Sequence, residues 1–159
     1  MANAKKFYLT ASGRAQFEGE LLSLENYMRS VASKLKRTLA REKPEENGDF
    51  EIAQNELYFA ERRIEEVTHI LQNSKTIVRP RHSSAIKLGS KIEVEQVGGG
   101  QRTQRQQFDL VGPLESSPDI GRISHESPLG QALIGRHIGE TVVLDTAGGE
   151  TNYQILKIN

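Results

Sequence analysis

The 159 residues suffice for one ordinary domain or two small units, and 36% hydrophobic with 26% charged residues is more polar than a compact globule requires. Lysine and arginine total 21 against 21 aspartate and glutamate, so no whole-molecule field draws the chain to nucleic acid or membrane. The lack of cysteine excludes disulfides, thiolate nucleophiles and zinc–cysteine sites, and suits a reducing compartment.

The opening MANAKKFYLT carries two lysines with no apolar core behind them, and no later run approaches a bilayer span. The expectation is a soluble, cytoplasmic protein that makes no membrane contact. From Phe17, apolar residues fall at Leu21, Leu24, Met28, Val31 and Leu35, in steps of three and four that define a heptad seam. Thr10 or Ser12 is placed to cap this helix. The same beat returns at Phe50, Ala53, Leu57, Ala60, Ile64, Val67 and Leu71. Two narrow seams with a short link predict an antiparallel helical hairpin in a monomer, with arms of roughly 35–45 Å at about 1.5 Å per residue. A dimerisation coil is the structural alternative.

The link, REKPEENGDF at 41–50, holds Glu42, Glu45, Glu46, Asn47 and Asp49 around Pro44. Proline disfavours simple helix continuation, while Asn47 and Asp49 are placed to cap the second helix. The acids have two readings: they complement the positive end of that helix, or they share a hard cation such as Mg2+ with another protein's aspartates. Just before them, Arg29, Lys34, Lys36, Arg37 and Arg41 are five cations with no intervening anion. This flank either meets a polyanion such as RNA or is a solvated face balanced by acids of the other arm.

Past Pro80 the period shortens. Ile86, Leu88, Ile92, Val94 and Val97 suggest two short strands, and Phe108, Leu110 and Val111 another. Val142, Val143 and Leu144, then Tyr153, Ile155, Leu156 and Ile158, form a hairpin around Gly148 and Gly149. In SPLGQALIG, Ser127 caps a short helix, Pro128 opens it and Gly135 ends it. The predicted class is α+β in two domains: a coiled-coil hairpin over 1–79 with its tip at about 42–49, and a small antiparallel sheet with one short helix over 80–159.

Other features carry less chemistry. His69, His82, His125 and His137 lack metal-ligand spacing. Gly98, Gly99 and Gly100 lack the lysine and helix of a phosphate loop, and Ser127 with His125 lacks a third catalytic partner.

The segment ISHESPLGQALIGRHIGETVVLDTAGGETNYQILKI, 123–158, resembles the C-terminal signature of the bacterial Gre transcript cleavage factors, GreA and GreB. YLTASG at 8–13, EENGDFEIAQNE and FAERRIEEV are similar to that family's opening, tip and second arm, so the resemblance spans nearly the whole chain. It implies a C-terminal domain of the FK506-binding-protein type without isomerase activity. It also implies docking on bacterial RNA polymerase through Ser127, Pro128, Leu129 and Gly130, with the hairpin entering the secondary channel.

In the family, an aspartate and a glutamate at the tip help hold a second Mg2+ at the polymerase active site, so that backtracked RNA is hydrolysed at its 3′ end. The protein is then no enzyme itself but a stimulator of the polymerase's own nuclease. Carried over, the family's tip motif falls on Lys43, Pro44, Glu45, Glu46 and Asn47. Glu46 is the expected metal-holding acid, with Glu45 and Glu42 beside it and Asn47 and Asp49 shaping the tip. On the RNA reading of the basic flank, Lys34, Lys36, Arg37 and Arg41 are the residues expected to face the RNA.

Lys43 stands where the family has aspartate, and an ammonium cannot ligate a cation. A second expectation is therefore a Gre homologue that occupies the same channel without stimulating cleavage, acting as a competitor or inhibitor. A third, a prolyl isomerase or chaperone, requires an aromatic-lined proline pocket.

Overall fold

The computed structural model describes residues 6–41, 48–98 and 104–159. The chain forms two compact units, one of Arg14–Ser74 and another of Lys6–Gly13 with Lys75–Asn159.

The chain opens with β1 (Phe7–Leu9), followed by α1 (Ala11–Arg41) and α2 (Gly48–Gln72). Cross-helix pairs show that the two helices run antiparallel. Arg14 reaches the Leu71 carbonyl and Ser74, and Glu20 meets Arg63 while Tyr27 lies near Glu56, so partners on α2 fall in number as those on α1 rise. The heptad seam is the buried face. Val31, Ala53, Ala60 and Val67 are buried, and Phe17, Leu21, Leu24, Met28, Leu35, Phe50, Leu57, Ile64 and Leu71 are half-buried. Alanines at Ala53 and Ala60, seven apart, leave room for close helix approach. The intramolecular pairs favour the hairpin over the dimerisation coil.

β2 (Ser74–Thr76) begins at the boundary and pairs with β1, and the second unit holds a five-stranded sheet. Its strands are β3 (Lys91–Val97), β4 (Arg105–Val111), β5 (Arg122–Ser124), β6 (Thr141–Thr146) and β7 (Gly149–Ile158), ordered β5-β4-β3-β7-β6. The short helix α3 (Pro128–Leu133) lies between β5 and β6 in sequence. The β4–β5 pair is parallel and the others antiparallel, so the sheet is mixed.

Ile86, Ile92, Val94, Leu110, Leu133, Val142 and Ile155 form the core. Each such burial is worth about 1.5–3 kcal/mol. Where β7 pairs with β3, the register slips between Glu93 and Val94 of β3, so that Ile158 faces Ile92 while Ile155 faces Val94. The bulge turns two isoleucines three apart to the partner positions of residues two apart.

The first of the two strands expected between Ile86 and Val97 does not form. Ala85 makes only an isolated bridge to His137, and Ile86 enters the core while its backbone bonds the Arg136 carbonyl and the Gly135 N–H. A turn at 88–89 separates it from β3. Among the described residues, no helix is long and apolar enough to cross a membrane.

Candidate functional site

Glu42, Lys43, Glu45, Glu46 and Asn47 lie outside the described residues, as does the side chain of Arg41. What the structure describes is the platform leading to them. Asp49 is the second described residue of α2, in its first turn with Glu51. Carboxylates there complement the exposed N–H groups of the first turn. Among the described residues, no three His, Cys, Asp or Glu side chains gather where a metal ion could bind.

The cationic flank occupies the last turns of α1. Lys34, Lys36 and Arg37 are exposed, and no described carboxylate comes within salt-bridge distance of them. Arg29, further from the tip, is 4.0 Å from Glu25 on its own helix. Among the described residues, then, acids of the opposite arm do not balance the basic run.

Nearer the root, the arms are tied by charge. Arg63 donates to Glu20 at 2.6 and 3.1 Å and to Glu66 at 2.8 Å, and these carboxylates hold its guanidinium pKa well above the ordinary value. One heptad further, partial desolvation and the neighbouring Glu56 carboxylate push the Tyr27 hydroxyl above its usual pKa.

In the second unit, Thr10 caps α1 by accepting from the Gly13 N–H at 3.0 Å. The buried Glu115 carboxylate accepts from the Thr10 N–H at 2.6 Å, from the Thr10 hydroxyl and from Arg122 at 2.7 Å. A methyl group on Gly13 would run into that carboxylate. Sequence reading missed Glu115, whose only signal was an acid between two proline-led turns.

Ser127 behaves as expected, accepting from the Gly130 N–H at 3.1 Å while donating to the Ser124 carbonyl at 2.6 Å. Pro128 opens the helix and Gly135 follows it with φ of 78°. Gly130 packs directly on the Ser124 carbonyl and the His125 backbone, where no side chain fits. Leu129 is half-buried against the core. Three residues of the SPLG segment thus have structural employment, and Pro128 is the exposed one. Beyond it Ile134, part of the recognised signature, and Ile138, which the sequence did not single out because the heptad and alternation patterns both lapse there, are exposed apolar side chains.

A cavity of about 650 Å³ in this unit is lined by residues including Thr10, Ile77, Arg79, Asp109, Leu110 and Arg122, with no aromatic among them. Phe108 and Tyr153 instead pack edge to face, 6.4 Å apart, against the core. This lining differs from the aromatic pocket that an isomerase requires. His125 is likewise structural, its ring 5.7 Å from Tyr8 and its Nδ1 3.2 Å from the Val111 carbonyl.

Residues 81–159 match the family described as "Transcription elongation factor, GreA/GreB, C-term", and residues 7–76 match the one described as "Transcription elongation factor, N-terminal". The chain is similar to the transcription elongation factor GreA of Halalkalibacterium halodurans, 31% identical over 160 residues with 99% of each chain covered. Similarity to the GreA of Shouchella clausii is also 31% over 160 residues, again with 99% of each covered. Among solved structures, Thermus aquaticus Gfh1 is 25% identical with a TM-score of 0.45, covering 98% of this chain and 99% of that one.

Proposed function

Because the chain belongs to the GreA/GreB family of transcription elongation factors, we infer that it enters the secondary channel of bacterial RNA polymerase and stimulates hydrolysis of backtracked RNA there. The observation that carries this reading is the run of exposed cations Lys34, Lys36 and Arg37, without a carboxylate partner among the described residues, on the arm that leads into the acidic tip. Such a flank attracts RNA phosphates in a salt-dependent way, while the tip carboxylates approach the reacting 3′ end. Three glutamates offer oxygen donors of the kind magnesium prefers. Mg2+, held mainly by the polymerase, supplies the activation of water for hydrolysis. Glu46 adds a carboxylate to that site, with Glu45 and Glu42 beside it. Pro128, with the SPLG segment behind it, docks on the polymerase.

Lys43 favours a second reading, in which the hairpin occupies the channel without stimulating cleavage. Its ammonium repels a divalent cation where the family presents aspartate.

A stalled elongation complex with end-labelled RNA decides between them. On the first reading, the wild-type protein shortens the RNA 3′ end faster than polymerase alone, and Glu46→Ala removes the gain. No gain from the wild type, with a gain restored by Lys43→Asp, establishes the second.

A further inference from the structure

We propose that the outer face of α2 is a protein-docking surface, fitted to a partner wall that sets cations around an apolar recess. The inference rests on the functional reading above, which makes that wall part of RNA polymerase, and it gives the two arms different partners: RNA for α1 and protein for α2.

Two columns seven residues apart define the face. Glu51, Tyr58 and Glu65 form one; Ile52, Phe59 and Glu66 form the other. Residues seven apart lie nearly above one another on a helix, drifting only about 20° per heptad. Phe59 is 69% exposed, Ile52 57% and Tyr58 55%, although the seam residues Ala53 and Ala60 beside them are buried. The two rings meet edge to face with centroids 5.9 Å apart, so they hold each other in a fixed presentation. Large exposed aromatics of this kind are the side chains that anchor protein interfaces.

Charge selects the occupant. Glu51, Glu61 and Glu65 have no cation within salt-bridge distance among the described residues, and Glu66 already shares Arg63 with Glu20. Arg62 is the one exposed cation of α2 outside those pairs. Single-stranded RNA would stack on the rings but would meet these carboxylates with its phosphates, a like-charge encounter. A wall bearing lysine or arginine around an apolar recess satisfies both features.

The test measures binding of labelled protein to core RNA polymerase and, separately, to a short single-stranded RNA. Tyr58→Ala with Phe59→Ala is expected to weaken polymerase binding at least roughly tenfold. Glu51→Gln with Glu65→Gln, which leaves the rings in place, is expected to weaken binding and flatten its dependence on salt. Helicity by circular dichroism should stay at the wild-type level for both, and the Gln pair tests the face even if the Ala pair frays the helix. Polymerase affinity equal to wild type in both variants overturns the proposal while leaving the cleavage reading intact. Loss of RNA binding alone would reassign the rings to base stacking and also overturn it. No polymerase binding by the wild type would overturn the functional reading itself.

Discussion

Along α2 the buried side chains are Ala53, Ala60, Val67 and Ile70, whereas the sheet unit encloses Ile86, Ile92, Val94, Leu110, Leu133, Val142 and Ile155. A two-helix seam leaves most residues close to water, so it is built largely from small or half-buried side chains and supplemented by cross-helix pairs such as Arg63 with Glu20. An enclosed core instead brings backbone against backbone, and the sheet unit therefore depends on positions where even one methyl has no room. The two regions should tolerate change very differently.

The largest expected effect is at Gly130. A Cβ there meets the Ser124 carbonyl and the His125 backbone, which cannot swing aside as a side-chain tip could. Overpacking of this kind costs about 1–3 kcal/mol and occasionally more, and a clash with backbone belongs at the upper end. Gly130→Ala should lower the denaturation midpoint accordingly and strip hydrogen-exchange protection from β3, β4 and β7 before α1 and α2. Uniform loss across both units would erase the contrast between them.

Two glycines of α1 sharpen it. Both would be exchanged for alanine on helix propensity alone, which favours Ala by roughly 0.8–1 kcal/mol. At Gly19 nothing lies within 4 Å of an added methyl, so Gly19→Ala should stabilise by about that amount. At Gly13 the methyl meets Glu115, which is held in place by Thr10 and Arg122, and Gly13→Ala should destabilise by about 2 kcal/mol. Thermal melts of the two variants need only give opposite signs. A stabilised Gly13→Ala protein would show that the Glu115 carboxylate yields.

These positions also mark what the sequence could disclose. Period-seven patterning is local, so the seam was readable residue by residue, and Thr10, Ser127, Pro128 and Gly135 could be placed from capping chemistry. β5 was not readable, since three residues, two of them polar, carry no alternation, and its parallel pairing with β4 is set across an intervening loop. Glu115 gave little signal because its partners lie at Thr10, 105 positions away, and Arg122. The SPLG segment, for which docking is proposed, was half legible: its spacing was recognisable, but only the fold shows that Leu129 faces the core while Pro128, Ile134 and Ile138 face out. A charge at Leu129 therefore reports folding, and Ile138→Asp is the cleaner probe of docking.

A smaller effect is expected from Arg63→Ala. The pair with Glu20 is about 40% exposed at Arg63, and exposed ion pairs contribute at most about 1 kcal/mol after solvent screening. A double-mutant cycle with Glu20→Ala should return a coupling of that size that shrinks in high salt. A larger, salt-insensitive coupling would mean that charge, and not the apolar seam, holds the arms together.

Glu140 gives the smallest and most direct comparison with that pair. Its Oε1 lies 3.2 Å from His137 Nδ1 and its Oε2 3.5 Å from Arg136, while its backbone carbonyl accepts from Ile155 on β7. The hydrogen bond from His137 is the main cause that lowers its pKa from 4.5, aided by the charge of Arg136 and opposed by partial desolvation. A folded pKa below the unfolded one means that the group's stabilisation is complete above about pH 4.5 and is lost as pH falls through the folded value. Glu140→Gln should therefore melt below wild type at pH 6, with the gap closing as acid titrates the carboxylate. NMR of the Glu140 carboxyl carbon gives the midpoint directly; a value at or above 4.5 would break the link, because the His137 contact would then not favour the charged form.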